Sequence, residues 1–490
     1  MAEIDNEQLI KYTLAKLAEA PQLIKNQLEK DGKKLKYRRA YSRLKKYAKD
    51  FLMGEKLGSI TKRLVILPGL RGVGKTTLLF QIYDYLKNFR NIEQDRILYF
   101  STDELKAYLG GRILDVIDTF IQEVHNTSYV NLDKELFILI DEAHFDPQWS
   151  EAAKIIFDKS KKIFSIFTGS SALNLELSVD SARRTTKEAV FPMNFSEYLI
   201  LKYEIFPPTG TAESIRNLIF NGADKNVIDY AVNKEKELTK KILRIGRPIK
   251  KEWEGFLCYK GFPFSLNMPQ LESHEKIFSM IERVIEKDVF SIKAFNTDTR
   301  NTISRILTFL SLQSSGGTSD SKLAERLKTS PTLIRSILDV LEKTHLVFSV
   351  KPYGGAGKTV RKPWKYYFLS PSINTSLRFK LGSYNERDKI MLGILSENLV
   401  ASYFVRMKET LQSSIGIFYD ANREGVDFLI QDSEGRIIPV EVGYGKKDKK
   451  QIKKAIKNYK SEYGIVICDC QSIKKEEDTI YIPITTFSFV

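Results

Sequence analysis

Cysteine and histidine are scarce in this sequence. The 490 residues include 3 Cys and 4 His, too few for a disulfide framework, and no zinc-ligand spacing is found among them. No stretch approaches the run of about 18 apolar residues that a membrane span requires. The N-terminus lacks the apolar segment of a secretory signal. These absences exclude a disulfide-stapled secreted domain and predict a protein of the reducing cytoplasm with no membrane-spanning segment.

Acidic residues are outnumbered, and the imbalance is local. The chain has 77 Lys and Arg against 61 Asp and Glu, a net charge of +16. Residues 30–49 hold ten Lys or Arg and one Asp, and residues 446–460 hold eight Lys and one Asp. Such clusters attract polyanions, most commonly nucleic acid, by counterion release. Tyr37, Tyr41 and Tyr47 interleave the first cluster, which favours nucleic acid or an acidic partner there. The second is equally compatible with a solvated lysine-rich face.

A glycine-rich segment stands out at residues 69–77, between an apolar run and a helical pattern. Its sequence, Gly-Leu-Arg-Gly-Val-Gly-Lys-Thr-Thr, is typical of a P-loop, in which backbone N–H groups and a helix N-terminus face phosphate oxygens. We expect Lys75 to reach the β- and γ-phosphates and the Thr76 hydroxyl to ligate Mg²⁺. The predicted nucleotide-contacting residues are Gly69, Gly72, Gly74, Lys75, Thr76 and Thr77.

Two further apolar runs follow the glycine-rich segment. Residues 136–140 are followed by Asp141-Glu142, and residues 163–167 are followed by Thr168-Gly169-Ser170-Ser171. Asp141 is expected to hold Mg²⁺ through water, and Glu142 to polarise the attacking water. Ser170, at the tip of the later strand, is the candidate γ-phosphate sensor. ATP and Mg²⁺ are therefore the predicted cofactors.

The chain is too long for one hydrophobic core, so several domains are expected. The patterns predict an α/β protein with a P-loop parallel sheet, in five segments. These are a basic helical segment (1–60), an AAA-type ATPase core (61–200), a helical lid (201–296), a winged helix (297–383) and a nuclease-like α/β domain (384–490).

The winged-helix prediction rests on three helical patterns followed by two strands around a glycine-rich turn. Ser330 and Pro331 favour the start of the third helix. Thr332 and Arg335 on that helix, with Lys358, Arg361 and Lys362 on the wing, are the candidate DNA contacts. A winged helix that serves only as a protein spacer is an equally open interpretation.

The last segment places acidic residues in a suggestive order. Glu397 lies in a helical pattern, and Asp427 and Glu441 lie on two strands joined by a hairpin. This is the metal-binding skeleton of PD-(D/E)xK nucleases, whose acids hold one or two Mg²⁺. The lysine expected two residues after the second acid is replaced by Gly443. Metal binding at Glu397, Asp427 and Glu441 is thus predicted more strongly than cleavage.

Taken together, the chain resembles prokaryotic AAA-type ATPases that carry a winged helix and a C-terminal PD-(D/E)xK-like domain of undefined role. The resemblance rests on residues 69–76, 136–142, 191–198 (Phe-Pro-Met-Asn-Phe-Ser-Glu-Tyr) and 397–441. It implies an arginine before residue 191 that contacts the γ-phosphate within the chain or across a subunit boundary. Arg183 and Arg184 match, which is compatible with a homo-oligomer. Gly425 and Gly443 depart from the family pattern.

Three functions remain open at this stage. The leading hypothesis is a Mg²⁺-dependent ATPase that acts as a nucleotide-gated DNA-binding switch, in mobile-element or defence biology. The second is a nuclease licensed by ATP and using Asp427 and Glu441. The third is a regulator that binds a protein partner and uses slow hydrolysis as a timer.

Overall fold

The described chain divides into two compact units. The computed structural model describes residues 5–490 apart from 31, 55–61, 170–183, 294, 296, 314–316, 356, 358–361, 412–414 and 446–448. The units are Met1–Val190 and Phe191–Val490.

The first unit is built around a parallel sheet. Its strands are β1 (Glu29–Lys30), β2 (Lys33–Lys34), β3 (Leu64–Pro68), β4 (Ile97–Ser101), β5 (Leu136–Asp141), β6 (Ile163–Gly169) and β7 (Thr186–Lys187). Its α-helices are α1 (Asn6–Leu28), α2 (Arg39–Met53), α3 (Lys75–Asp84), α4 (Thr102–Leu109), α5 (Ile113–Thr119) and α6 (Trp149–Lys159). Five strands pair in the order β4-β5-β6-β3-β7, all parallel. The residues of β3, β5 and β6 are buried, as expected for apolar strands covered on both faces. The predicted α/β class with a P-loop-type parallel sheet is confirmed.

Helix α2 explains the tyrosines of the first basic cluster. Its buried residues recur at helical spacing and include Tyr41, Leu44, Tyr47 and Phe51. Phe51 packs on Phe137 and Phe164 of the sheet, with ring centroids 5.7 and 5.6 Å apart. The interleaving of aromatic and basic residues is thus the period of an amphipathic helix, and the buried Tyr41 and Tyr47 give no separate support for nucleic acid or an acidic partner at this cluster.

The second unit combines helices with a mixed sheet. Its α-helices are α7 (Phe195–Tyr203), α8 (Thr211–Phe220), α9 (Lys225–Ile242), α10 (Ile249–Tyr259), α11 (Gln270–Arg283), α12 (Phe290–Ile292), α13 (Thr297–Leu312), α14 (Asp320–Leu327), α15 (Pro331–Lys343), α16 (Pro371–Lys380), α17 (Lys389–Leu411), α18 (Lys449–Tyr459) and α19 (Ile484–Phe487). Its strands are β8 (Val347–Pro352), β9 (Lys365–Phe368), β10 (Gly416–Tyr419), β11 (Phe428–Gln431), β12 (Ile437–Val442), β13 (Gly464–Cys468), β14 (Lys474–Glu476) and β15 (Thr479–Pro483).

The strand pairing in this unit joins two predicted segments. The sheet order is β14-β15-β13-β12-β11-β10-β8-β9. Strands β8 and β9 form the antiparallel hairpin that follows α13–α15, and the end of β8 pairs in parallel with β10. The hairpin predicted as a wing is therefore the edge of the C-terminal sheet.

The predicted lid also shares its core with the C-terminal segment. Trp253 of α10 donates a 2.8 Å hydrogen bond to Ser488, and Tyr463 donates one of 2.8 Å to the carbonyl of Ile219. Residues of α7–α10 and of α17 and α19 belong to one buried apolar cluster or pack against it. That residues 201–296 act as a lid stays a prediction.

The family-specific string at residues 191–198 has a structural role. Asn194 and Glu197 form a reciprocal capping box at the start of α7, with the Glu197 N–H donating to the Asn194 side chain at 2.8 Å. Arg406 of α17 reaches both the Glu197 carboxylate (3.0 Å) and the Pro192 carbonyl (3.1 Å). The string therefore fixes α7 against α17.

One described helix, Lys389–Thr410, has the length and apolar composition that could cross a membrane. Within the protein, 72% of its most apolar window is buried. Its apolar character is accounted for by packing in the core of the second unit.

The packing of α2 predicts a stability difference between two of its residues. Phe51 is 8% exposed and Met53 is 41% exposed. Phe51→Ala should lower the free energy of unfolding by about 3 kcal/mol, because it removes a buried ring from the sheet contact. Met53→Ala is the control and should cost less than about 0.5 kcal/mol. Equal losses in denaturant titrations would contradict this packing.

Candidate nucleotide site and C-terminal acid cluster

The glycine-rich turn after β3 has the backbone shape that phosphate binding needs. Gly72 and Gly74 have φ values of 79° and 93°, a left-handed region that glycine enters at little cost. At Gly69 a Cβ atom would lie 2.4 Å from the Val190 carbonyl oxygen, so a side chain there would displace the backbone. The backbone conformation at Gly72 and Gly74 and the close Val190 carbonyl at Gly69 therefore favour glycine at these three positions.

Helix α3 begins directly at the end of this turn. Gly74 is its N-cap, and the first intrahelical hydrogen bond runs from Leu78 N–H to the Gly74 carbonyl at 3.1 Å. The N–H groups of Lys75, Thr76 and Thr77 precede that bond and have no acceptor within the helix. They point out of a helix N-terminus, whose partial positive charge favours an anion.

Lys75 is held inside the turn. Its ammonium group donates to the carbonyl oxygens of Gly69 at 2.7 Å and Leu70 at 3.2 Å. The side chain is buried, so a phosphate entering the turn would exchange these carbonyl contacts for a charge-assisted one.

Three chain segments meet at Asp141. Its Oδ2 accepts from the Thr76 hydroxyl at 2.6 Å, and its Oδ1 accepts from the Thr168 hydroxyl. Thr168 also accepts from the Glu142 N–H at 3.1 Å. Since β6 lies between β3 and β5, Thr168 is placed beside the end of β5, and Thr76 links Asp141 directly to the P-loop.

Burial, and then the charge of Glu142, raises the pKa of Asp141 above its usual range. A buried carboxylate beside a second acid is costly unless a cation neutralises it. The Thr76 hydroxyl and the Asp141 carboxylate are oxygen donors of the kind that Mg²⁺ prefers. The donor set therefore fits the predicted ion.

Glu142 has an unusual backbone. Its φ of 50° is left-handed, a conformation that is strained for a non-glycine residue and is concentrated at functional sites. The carboxylate is 3.3 Å from His144 Nδ1 and 3.9 Å from an Arg71 nitrogen. His144 and Arg71 were not predicted as site residues. Arg71 lies inside the glycine-rich segment, so its position in the sequence was a usable signal.

Of the remaining predicted catalytic residues, Arg184 is among those that the structure describes. Ser170 and Arg183 lie outside the described residues. Arg184 is paired with Asp158 at 2.7 Å. Arg184 precedes the start of β7, which runs parallel to β3. The P-loop follows the end of β3, so Arg184 lies at the opposite end of these strands from the P-loop of its own chain.

The basic N-terminal segment supports the P-loop directly. Arg38 is buried and donates to the carbonyl of Val73, within the glycine-rich turn. Lys34 is paired with Asp84 of α3 at 2.6 Å, and Arg43 with Glu188 at 2.7 Å. Part of this cluster is thus committed to the fold, whereas Lys45, Lys46 and Lys49 are exposed on α2.

In the second unit, the predicted metal-binding acids have other partners. Asp427 and Glu441 are neighbours across β11 and β12, where the Val442 N–H donates to Asp427 at 2.8 Å and the Asp427 N–H to Glu441 at 3.3 Å. Glu397 accepts from Lys365 at 3.1 Å. Across the described ranges, no group of three or more His, Cys, Asp or Glu side chains is arranged to hold a metal ion. The prediction of a metal shared by Glu397, Asp427 and Glu441 does not match this arrangement.

Arg335 is likewise committed within its own unit. Its guanidinium stacks on Trp364 at 3.9 Å and pairs with Asp339 at 3.1 Å. Thr332 and Lys362 are exposed, and Lys358 and Arg361 lie outside the described residues. The expectation that Arg335 is displayed for base contacts is not met in this arrangement.

Three family models match parts of this chain. The model of a family described as an AAA domain matches residues 61–199. Two families described as domains of unknown function, DUF8612 and DUF4143, match residues 250–383 and 392–487.

Relatives span most of the chain. It is 34% identical over 476 residues to the uncharacterized protein MJ1637 of Methanocaldococcus jannaschii, covering 97% of this chain and 93% of that protein. An uncharacterized protein of Haemophilus influenzae is 25% identical over 319 residues, which cover 63% of this chain and 67% of that one. Among solved structures, the ORC2 protein of Aeropyrum pernix aligns with a TM-score of 0.35 and 12% identity, over 71% of this chain and 96% of that one.

The contacts of Thr168 predict its effect on turnover. Thr168→Val should slow ATP hydrolysis about tenfold with nearly unchanged ATP affinity, because a hydrogen bond to a charged group contributes about 1.5–3 kcal/mol. Single-turnover hydrolysis and equilibrium ATP binding measure the two effects. Ser165→Ala removes a buried hydroxyl from the same strand away from Asp141 and serves as the control. Turnover of Thr168→Val equal to wild type would remove Thr168 from the site.

Proposed function

Because this chain belongs to the family of the uncharacterized protein MJ1637 of Methanocaldococcus jannaschii and carries an AAA domain, we propose that it binds ATP and hydrolyses it with Mg²⁺. The observation that carries the proposal is the junction of Thr76, Asp141 and Thr168 at the mouth of the glycine-rich turn. It joins the P-loop to the two acids that hydrolysis needs.

Each residue at this junction would have a distinct task. The N–H groups at the start of α3 and the Lys75 ammonium would bind the phosphates. Thr76 and Asp141 would hold Mg²⁺, which when bound neutralises charge on the phosphate oxygens. Glu142 would accept a proton from the attacking water, and the proximity of His144 and Arg71 supports the proposal that these two side chains orient its carboxylate.

Replacement of Lys75 and of Glu142 should separate binding from chemistry. Lys75→Ala should weaken ATP binding at least tenfold, because a point cation is lost from the phosphate site. Glu142→Gln should retain ATP binding and lower turnover by about 100-fold or more, because the base is lost. Equilibrium binding of a fluorescent ATP analogue and phosphate release measure the two effects. Turnover of Glu142→Gln equal to wild type would refute the assignment of the base.

We include Arg183 and Arg184 in the proposal as residues that act on the nucleotide of a neighbouring subunit. Arg184 lies at the end of the strands away from the P-loop of its own chain, which supports action between chains rather than within one. The proposed assembly is accordingly a homo-oligomer with shared sites.

We also propose that nucleotide state gates DNA binding. The exposed lysines of α2 support this part, since Lys45, Lys46 and Lys49 share the face opposite the buried one. The buried face of α2 packs on the sheet, and Arg38 just before α2 reaches the P-loop. A change at the P-loop is thereby linked to the position of the lysine face.

Charge reversal on α2 tests the DNA proposal. Lys46→Glu combined with Lys49→Glu should weaken binding to DNA of any sequence and lower the salt slope by about 2, one unit for each lost phosphate contact. Lys236→Glu with Lys240→Glu on α9 makes the same charge change at other exposed positions and is the control. Fluorescence anisotropy at several salt concentrations is the measurement. No DNA binding by wild type at low salt, or equal losses in both pairs, would refute the proposal.

A further inference from the structure

A lysine occupies the acid cluster of the second unit. Lys365 of β9 donates to Glu397 Oε1 at 3.1 Å, and the Tyr367 hydroxyl donates to the same oxygen at 2.6 Å. The Lys365 and Glu397 side chains are only 12% and 7% exposed. The ammonium also lies 5.4 Å from the centre of the Tyr419 ring. The ammonium of Lys365 is thus buried in contact with the Glu397 carboxylate and the Tyr419 ring.

Asp427 is the second charge that acts on this lysine. Burial alone would lower the pKa of Lys365, but attraction by Glu397 and by Asp427 outweighs burial, and the pKa is raised. The group therefore remains a cation inside the protein. It supplies the positive charge that the acids would otherwise take from an ion.

The pair connects chain segments that are far apart in sequence. Lys365 lies on β9, the end strand of the sheet, and Glu397 on α17. Next to it, Asn398 donates to the Phe368 carbonyl at 2.6 Å, a second link between α17 and β9. Strand β9 pairs with β8 at the end of the sheet, and these side chains connect it to α17.

We propose that Lys365 is the resident cation of the Glu397 carboxylate, and that this buried pair is an ionic joint that fixes the β8–β9 hairpin to the C-terminal segment. The joint takes the place of a divalent-metal site in this chain. It accounts for a C-terminal domain that keeps nuclease-type acids while lacking a lysine at position 443.

Removal of one charge should cost more than removal of both. A buried ion left without its partner is strongly destabilising, whereas a neutral pair of similar shape is tolerated. Lys365→Met should therefore lower the unfolding temperature, and Lys365→Met combined with Glu397→Gln should recover a large part of that loss. Lys351→Met is the control, because Lys351 is an exposed lysine of the same hairpin.

A Mn²⁺ titration of the same variants tests the identity of the cation. We expect no rise in the unfolding temperature of wild type from Mn²⁺ bound at Glu397, because Lys365 already occupies that position. A rise caused by Mn²⁺ at Glu397 would be recognised by its loss in Glu397→Gln. Such a rise in wild type would overturn the proposal. Equal unfolding temperatures for Lys365→Met and wild type would overturn it as well. If Lys365→Met does not fold, the double variant decides: a folded double variant supports the joint, and an unfolded one overturns it.

Discussion

The buried carboxylate of Asp141 connects the parts of the nucleotide site. Thr76 at the start of α3 and Thr168 at the end of β6 both donate to it, so three segments of the first unit share one acceptor. Burial raises the pKa of this group, which makes its charge dependent on these donors and on any cation that joins them. The backbone of Glu142 is positioned by the same threonine, because the Thr168 hydroxyl also accepts from the Glu142 N–H.

The buried acids of the two units have different surroundings. In the first, the Asp141 carboxylate lies beside the hydroxyl groups of Thr76 and Thr168 and next to Glu142, a set of oxygen atoms that would stabilise an added cation. In the second, the Glu397 carboxylate pairs with the ammonium of Lys365 at 3.1 Å. In the functions proposed here, the first cluster would take a cation from solution, whereas the second contains its own.

The basic composition of the chain has a mixed physical meaning. Arg38, Arg43 and Lys34 stabilise the first unit through contacts with the P-loop turn, Glu188 and Asp84. Lys46 and Lys49, on the outer face of α2, are exposed. Net charge and spacing cannot separate these two groups, because the distinction depends on which side of the helix meets the sheet.

The sequence by itself determined the P-loop, its preceding strand and following helix, the position of Asp141 and Glu142 at a strand end, and the parallel sheet. These features are local: glycine conformations, apolar runs and helical periodicity are set by neighbouring residues. Only the tertiary structure decided that Thr168 bonds to Asp141, that Arg184 lies away from its own P-loop, and that Lys365 neutralises Glu397. Lys365 and Glu397 are 32 residues apart. Their contact depends on strand order and on burial, which no local pattern encodes.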